Sequence, residues 1–180
     1  MKRVITALFL LTALTALAEA QFTTTANRPY LILNPRPGYM TINEFTSGFG
    51  IAGTTTPYSK FNYGFTTVHG YQINNGFSVG GGTGFLLYED GPLIPLFADF
   101  RFNFIVSTTS FYIFGNSGLL IDPSNLNSGS KLFANAGPGV RIALSRKFAL
   151  HFSPGILTQM GPTSRASFVN FKLGFTLKPG

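Results

Sequence analysis

The chain has no cysteine and no tryptophan, only two histidines, and only 11% charged residues. Without cysteine there is no disulfide scaffold, no thiolate zinc site and no cysteine nucleophile, and no lipid anchor on a mature N-terminal cysteine. A typical soluble domain carries roughly a quarter charged residues, so the low charge content argues against an ordinary water-facing surface. Acidic residues are scarcest, with 6 Asp and Glu against 13 Lys and Arg, for a formal charge of +7. The cations are scattered and never run beyond two. A nucleic-acid surface gathers its charge on one face or helix, so nucleic acid is not an expected partner. Past residue 20 no stretch offers 18 consecutive apolar residues, which leaves no transmembrane helix. No stretch shows a convincing helical stripe either.

What is present is unusual in a different way. The 180 residues include 20 Phe, 7 Tyr and 21 Gly, with abundant Asn, Ser and Thr. Aromatics, small polar residues and few charges suit a sheet with one face in lipid and the other in a polar interior. The first 20 residues, MKRVITALFLLTALTALAEA, read as a secretory signal peptide. Lys2 and Arg3 form the basic start, Val4 to Leu17 the apolar stretch, and Ala18-Glu19-Ala20 the small-x-small cleavage site. Export removes most of the case for cytosolic nucleotide chemistry. Residues 21–38 hold Pro29, Pro35 and Pro37 and read as an extended periplasmic leader. Residues 39–180 form the remaining domain.

That domain divides into runs of apolar-polar alternation separated by turn residues, the strand signal. Eight strands are expected, at about 39–54, 61–73, 77–88, 93–104, 110–122, 131–144, 148–160 and 165–178. Each exceeds the roughly 9–11 tilted residues that cross an outer membrane. The connections at Asn74-Asn75-Gly76, Ile105 to Thr109 and Ser145-Arg146-Lys147 are short. TTTPYSK, EDGP, DPSNLNSGS and GPTS are polar loops of the opposite side, the barrel arrangement. The alternation assigns faces. In the last strand Val169, Phe171, Leu173, Phe175 and Leu177 oppose Asn170, Lys172, Gly174 and Thr176. In the fourth, Leu96, Ala98, Phe100 and Phe102 oppose Asp99, Arg101 and Asn103. The expected fold is all-β, an eight-stranded antiparallel up-and-down transmembrane barrel. Eight strands leave an interior that side chains can just fill.

The stretch GFSVGGGTGF, residues 76–85, invites a phosphate-loop reading. A phosphate loop needs a helix after its glycines, and FLLYEDGP is too short for one. Gly80, Gly82 and Gly84 instead share one face of a strand and leave interior room for larger neighbours. Glu44, Asp99, Arg101, Arg141 and Lys172 all fall on polar-face positions. They are expected to pair and plug the lumen, because an unpaired charge away from water is very costly. His69 and His151 are the candidate bases of a barrel hydrolase, with Ser153 two residues beyond His151 and Glu44 as an orienting acid. His and Ser at that spacing lie about 7 Å apart along a strand, so neither is assigned as catalytic. No cofactor or metal set is expected: the only acidic pair, Glu89-Asp90, reads as a solvated turn. Tyr39, Tyr58, Tyr63, Tyr71 and Tyr88 lie near strand ends, as in interfacial girdles.

YGFTTVHGYQINNGFSVGGGTGF followed by PLIPLFADFRFNF resembles the small outer-membrane β-barrel proteins common in Bacteroidota, and FVNFKLGFTLK resembles their terminal strand. The resemblance covers roughly residues 39 to 178, with Pro179-Gly180 where a terminal Phe is usual. It implies an eight-stranded barrel of the OmpA or OmpX kind without enzymatic assignment, with the barrel assembly machinery reading the last strand. The expected function is structural or interaction-based in the bacterial outer membrane, with lipid around the barrel and a protein partner at the surface loops. Two alternatives stand beside it: a barrel enzyme acting on outer-membrane lipid or peptide, and a soluble periplasmic lipid carrier. Rows of outward Phe and Leu oppose the carrier, since they exceed the few hundred Å² of apolar patch that soluble proteins tolerate.

Overall fold

The structure is a computed structural model and describes residues 31–53, 59–89, 91–104, 107–124, 130–161 and 165–179. The expected signal peptide, 1–20, and leader residues 21–30 lie outside the described residues. Eight strands follow one another: β1 (Gly38–Gly53), β2 (Phe61–Gln72), β3 (Phe77–Tyr88), β4 (Gly91–Asn103), β5 (Thr109–Ile121), β6 (Lys131–Ala143), β7 (Phe148–Met160) and β8 (Arg165–Leu177). Each pairs antiparallel with its neighbour, and β1 pairs with β8 to close the barrel. Closure removes the free edges that a sheet this hydrophobic would otherwise expose.

Every expected strand is present with ends shifted by no more than about two residues. The largest shift is at β4, which begins at Gly91 and not at residue 93. Gly91 has φ +129°, a conformation closed to side chains that carry a Cβ, and it pairs with Tyr88. EDGP is therefore not a loop of four: Gly91 and Pro92 are inside β4. At the end that carries the chain termini, the Asn74 carboxamide oxygen accepts from the N–H of Gly76 and of Phe77, both at 2.8 Å. This Asx turn fixes the β2–β3 hairpin. The other end holds the longer connections at 54–60 and 122–130. Short turns face the periplasm in barrels of this type, so the terminal end is the periplasmic one.

Burial follows the strand period. Outward positions form an apolar belt, with Phe45 54% exposed, Leu132 58% and Leu173 62%. Tyr39, Tyr63 and Tyr71 sit in this outward set near the two rims, where amphipathic rings suit a lipid–water boundary. Tyr88 departs from the expected girdle. It points inward, is buried, and packs edge-on to Phe168 at 5.8 Å between centroids. Tyr58 lies outside the described residues.

The interior is less polar than the sequence pattern suggests. Toward the far end, Leu86, Tyr88, Leu93, Phe97, Leu120, Phe133, Leu157 and Phe168 form a buried apolar cluster. Glycines make room for it: a Cβ on Gly82 would meet the Phe97 ring at 2.4 Å. Within the Gly80–Gly84 run only Gly82 faces a large side chain, while a Cβ on Gly80 or Gly84 would run into the backbone of β2 at His69–Gly70 and Phe65–Thr66.

Candidate functional site

The centre of the lumen is a network of buried charges. Glu44 on β1 is its hub. Its Oε1 accepts from Arg101 Nη2 at 2.8 Å and from His151 Nε2 at 3.0 Å, and its Oε2 accepts from Lys172 Nζ at 3.3 Å. Arg101 also donates through Nε to Asp99 Oδ2 at 3.0 Å and through Nη2 to Asp99 Oδ1 at 3.1 Å. Asn116 links the halves: its Nδ2 donates to Asp99 Oδ1 at 2.6 Å, and Lys172 donates to its Oδ1. Lys172 further lies over the Phe114 ring at 4.6 Å, and Arg101 over the Tyr112 ring at 5.6 Å. Each charge in this layer therefore has a counter-charge within a hydrogen bond, the condition under which burial is tolerated.

Local sequence explains the reach of these groups. Gly174 pairs with Glu44 on one side and with His151 on the other. Having no side chain, it lets the imidazole cross β8 to the carboxylate. A Cβ there would meet the Asn43 carbonyl oxygen at 2.1 Å and His151 Nε2 at 2.8 Å. Gly139 does the same for Tyr112, whose ring lies across it, with a Cβ-to-ring separation of 2.4 Å.

Of the five charges expected to plug the lumen, four come together and Arg141 does not. It points inward on β6, between Ser110 and His151 in register, but no hydrogen bond or ion pair ties it to a described residue. It pairs with His151, a member of the network, but its electrostatic neighbours are Tyr112 and Arg101, not Glu44 or Asp99. His151, weighed only as a base, takes its place in the network. Asn116 and Tyr112 were not singled out. Their inward parity on β5, shared with Ser110 and Phe114, was the available signal.

The hydrolase constellation does not assemble. His151 uses Nε2 on Glu44, its Nδ1 is buried without a partner, and Ser153 Oγ is bonded to the Tyr112 hydroxyl at 2.5 Å. His69 lies on the outer surface, its Nδ1 2.5 Å from the Tyr39 hydroxyl. Among the described residues no group of three or more metal-type ligands occurs. Beside the network, the free space between Lys172, Asn116, Thr46, Asn135 and Phe97 is a cavity of ≈ 20 Å³, the room of a single water.

The leader segment 31–37 closes the terminal end. The N–H of Asn34 donates to the Arg146 carbonyl at 2.9 Å. Lys178 Nζ donates to the carbonyls of Asn34 (2.8 Å) and Arg36 and to Gln72 Oε1 at 3.0 Å, and Gln72 Nε2 donates to the Pro35 carbonyl at 3.3 Å. Leu33 is buried. The leader is thus a strap, fastened to β2, to the β6–β7 turn and to the end of β8.

Comparison with protein-family models and with curated proteins gives no match. Solved structures do match. Neisserial surface protein A is similar over 80% of this chain and 99% of its own, with 14% identity and a TM-score of 0.57. The attachment invasion locus protein of Yersinia pestis covers 79% of this chain and 99% of its own at 15% identity, with a TM-score of 0.46. The fold is that of the small eight-stranded outer-membrane barrels. The likeness speaks for the fold; the continuous outward belt of Phe and Leu is what demands a membrane, and closed barrels of this kind belong in the bacterial outer membrane.

Proposed function

We propose that this chain is a sealed outer-membrane barrel with no catalytic role, acting through its ends as a structural or interaction module. The observation that carries this reading is the filling of the lumen. A paired charge layer at mid-height, an apolar cluster beyond it and a strap at the periplasmic end occupy the lumen, and the cavity beside the charge layer has room for about one water. An eight-stranded interior is just wide enough for side chains to fill, and here they fill it.

The contacts of such a barrel are lipid along the belt, a protein partner at the far-end loops, and the assembly machinery at β8 during insertion. Cleavage after Ala20 would free Gln21 as the start of the mature chain, with the leader in the periplasm. The first test is conductance in a planar bilayer, with the protein verified as folded by slower or faster migration before boiling in SDS. No unitary current is expected. A stable, reproducible single-channel step from the folded protein sinks the sealed-barrel reading.

A further inference from the structure

Among the described residues, the periplasmic end of the barrel carries positive charge with no Asp or Glu beside it. Among its described residues, Arg141 and Lys178 lie inside the mouth, and Arg36, Arg146 and Lys147 lie on the strap and the adjoining turn. None of the described residues there is Asp or Glu. The described acidic residues sit elsewhere: Glu44 and Asp99 in the central network, Glu89 and Asp122 in connections of the opposite end. Arg141 is inward-facing and mostly buried, and makes no hydrogen bond or ion pair. The groups within its electrostatic reach are the Tyr112 phenol, Arg101 and Lys178, none an anion at neutral pH. Its neighbour in register, His151, turns a buried and unpartnered Nδ1 away from Glu44. Lys178 finds oxygen partners only in carbonyl groups, and burial together with the Arg141 charge lowers its ammonium to about 8. A buried guanidinium without a counter-charge is costly unless an anion is supplied from outside.

We propose that the periplasmic mouth binds a phosphate group, with the Arg141 guanidinium as its fork and Lys178 as its second cation. The planar guanidinium offers parallel N–H donors that match two oxygens of a tetrahedral oxyanion. The outer cations Arg36, Arg146 and Lys147 raise the local anion concentration at the mouth. The phosphate could belong to a free phosphate or phosphomonoester of the periplasm or to a headgroup of the inner leaflet, and the experiment separates the two.

The full chain is folded in uncharged detergent and titrated with inorganic phosphate at constant ionic strength, chloride replacing it in the control. Arginine side-chain NMR resonances and the midpoint of heat unfolding are followed. The expected result is one guanidinium resonance that moves saturably, with a parallel rise in the midpoint. Arg141→Gln should weaken the phosphate effect at least about tenfold, while Arg146→Gln leaves it in place. A neighbouring anion favours the charged lysine, so the Lys178 pKa should rise from about 8 on binding. In parallel, nanodiscs of phosphatidylcholine with and without phosphatidylglycerol are compared in the absence of free phosphate. Movement of the Arg141 resonance only with phosphatidylglycerol assigns the site to a headgroup; movement with inorganic phosphate in micelles assigns it to a free phosphate. A response linear in salt, one equal in Arg141→Gln, or no movement in either arm overturns the proposal. If Arg141→Gln fails to fold, the wild-type resonance and Arg141→Lys decide the matter, since lysine keeps the charge and loses the fork.

Discussion

In the lumen Glu44 meets Arg101, Lys172 and His151, while Arg141, paired in register with that same His151, and Lys178 at the mouth meet no acid. Both groups face one lumen, but the network is carried by β1, β4, β5, β7 and β8 and is fully buried, while Arg141 stands on β6, partly buried, and Lys178 just past the end of β8. The difference teaches what each layer is for. Where every charge is answered within the chain, the arrangement is complete and serves the fold. Where cations are left over, the proposed phosphate would supply the answer from another molecule.

The contrast can be broken at its strongest point first. Glu44→Gln leaves Arg101 and Lys172 with their shared carboxylate gone, and removing one partner of a buried pair costs about 3–5 kcal/mol. The denaturant midpoint, read from gel mobility without boiling, should fall accordingly. Glu44→Gln combined with Arg101→Gln should cost less than the sum of the two singles, because each cancels the other's orphan charge. Unchanged heat stability in all the single variants would show that the network does not hold the lumen together.

Next comes Gly174→Ala, expected to cost about 1–3 kcal/mol by overpacking. Adding His151→Ala should recover only part of the loss. The imidazole contact at 2.8 Å would be relieved, but the approach of 2.1 Å to the Asn43 carbonyl would remain. Full recovery would mean that the backbone contact is absorbed elsewhere.

Lys178→Met comes third. It removes donors to three oxygens at the strap, worth about 1 kcal/mol each at most, and should speed proteolysis within residues 31–37 without altering the heat-dependent mobility of the barrel. Equal protease resistance would show that Leu33 and the Asn34–Arg146 bond suffice to hold the strap. The smallest effect sharpens the comparison most. In phosphate-free buffer Arg141→Gln should change stability by no more than about 0.5 kcal/mol, or raise it, since it deletes a charge with no partner. A loss near that of Glu44→Gln would place Arg141 in the network after all.

Much of this architecture was legible from the residues. Period-2 alternation located all eight strands, because each crosses a boundary between lipid and a packed interior and so writes both faces into its sequence. The same parity put Asp99, Arg101 and Lys172 inside. It also put Phe97, Phe133 and Phe168 inside, yet these read as ordinary apolar residues, and the far-end cluster went unseen. Nor could parity tell that Arg141 stands apart. Register does not tell it either, since Arg141 pairs with His151, which stands level with Glu44 through Gly174; its lack of an acid partner is settled by where the side chains reach inside the lumen. The strap was readable as an extended leader from its prolines, but its fastening to Lys178 spans 144 residues along the chain, beyond any local signal.

That last separation bears on how the barrel is completed. The bonds from Lys178 to Asn34 and Arg36 join the first described segment to the last. They bridge the β1–β8 seam, the pairing that shuts the ring. The strap is therefore a clasp across that seam. A chain stalled with β8 unpaired leaves residues 31–37 loose in the periplasm and open to proteases. Completion of the cylinder is in this way recorded at its mouth, where limited proteolysis during insertion would read it.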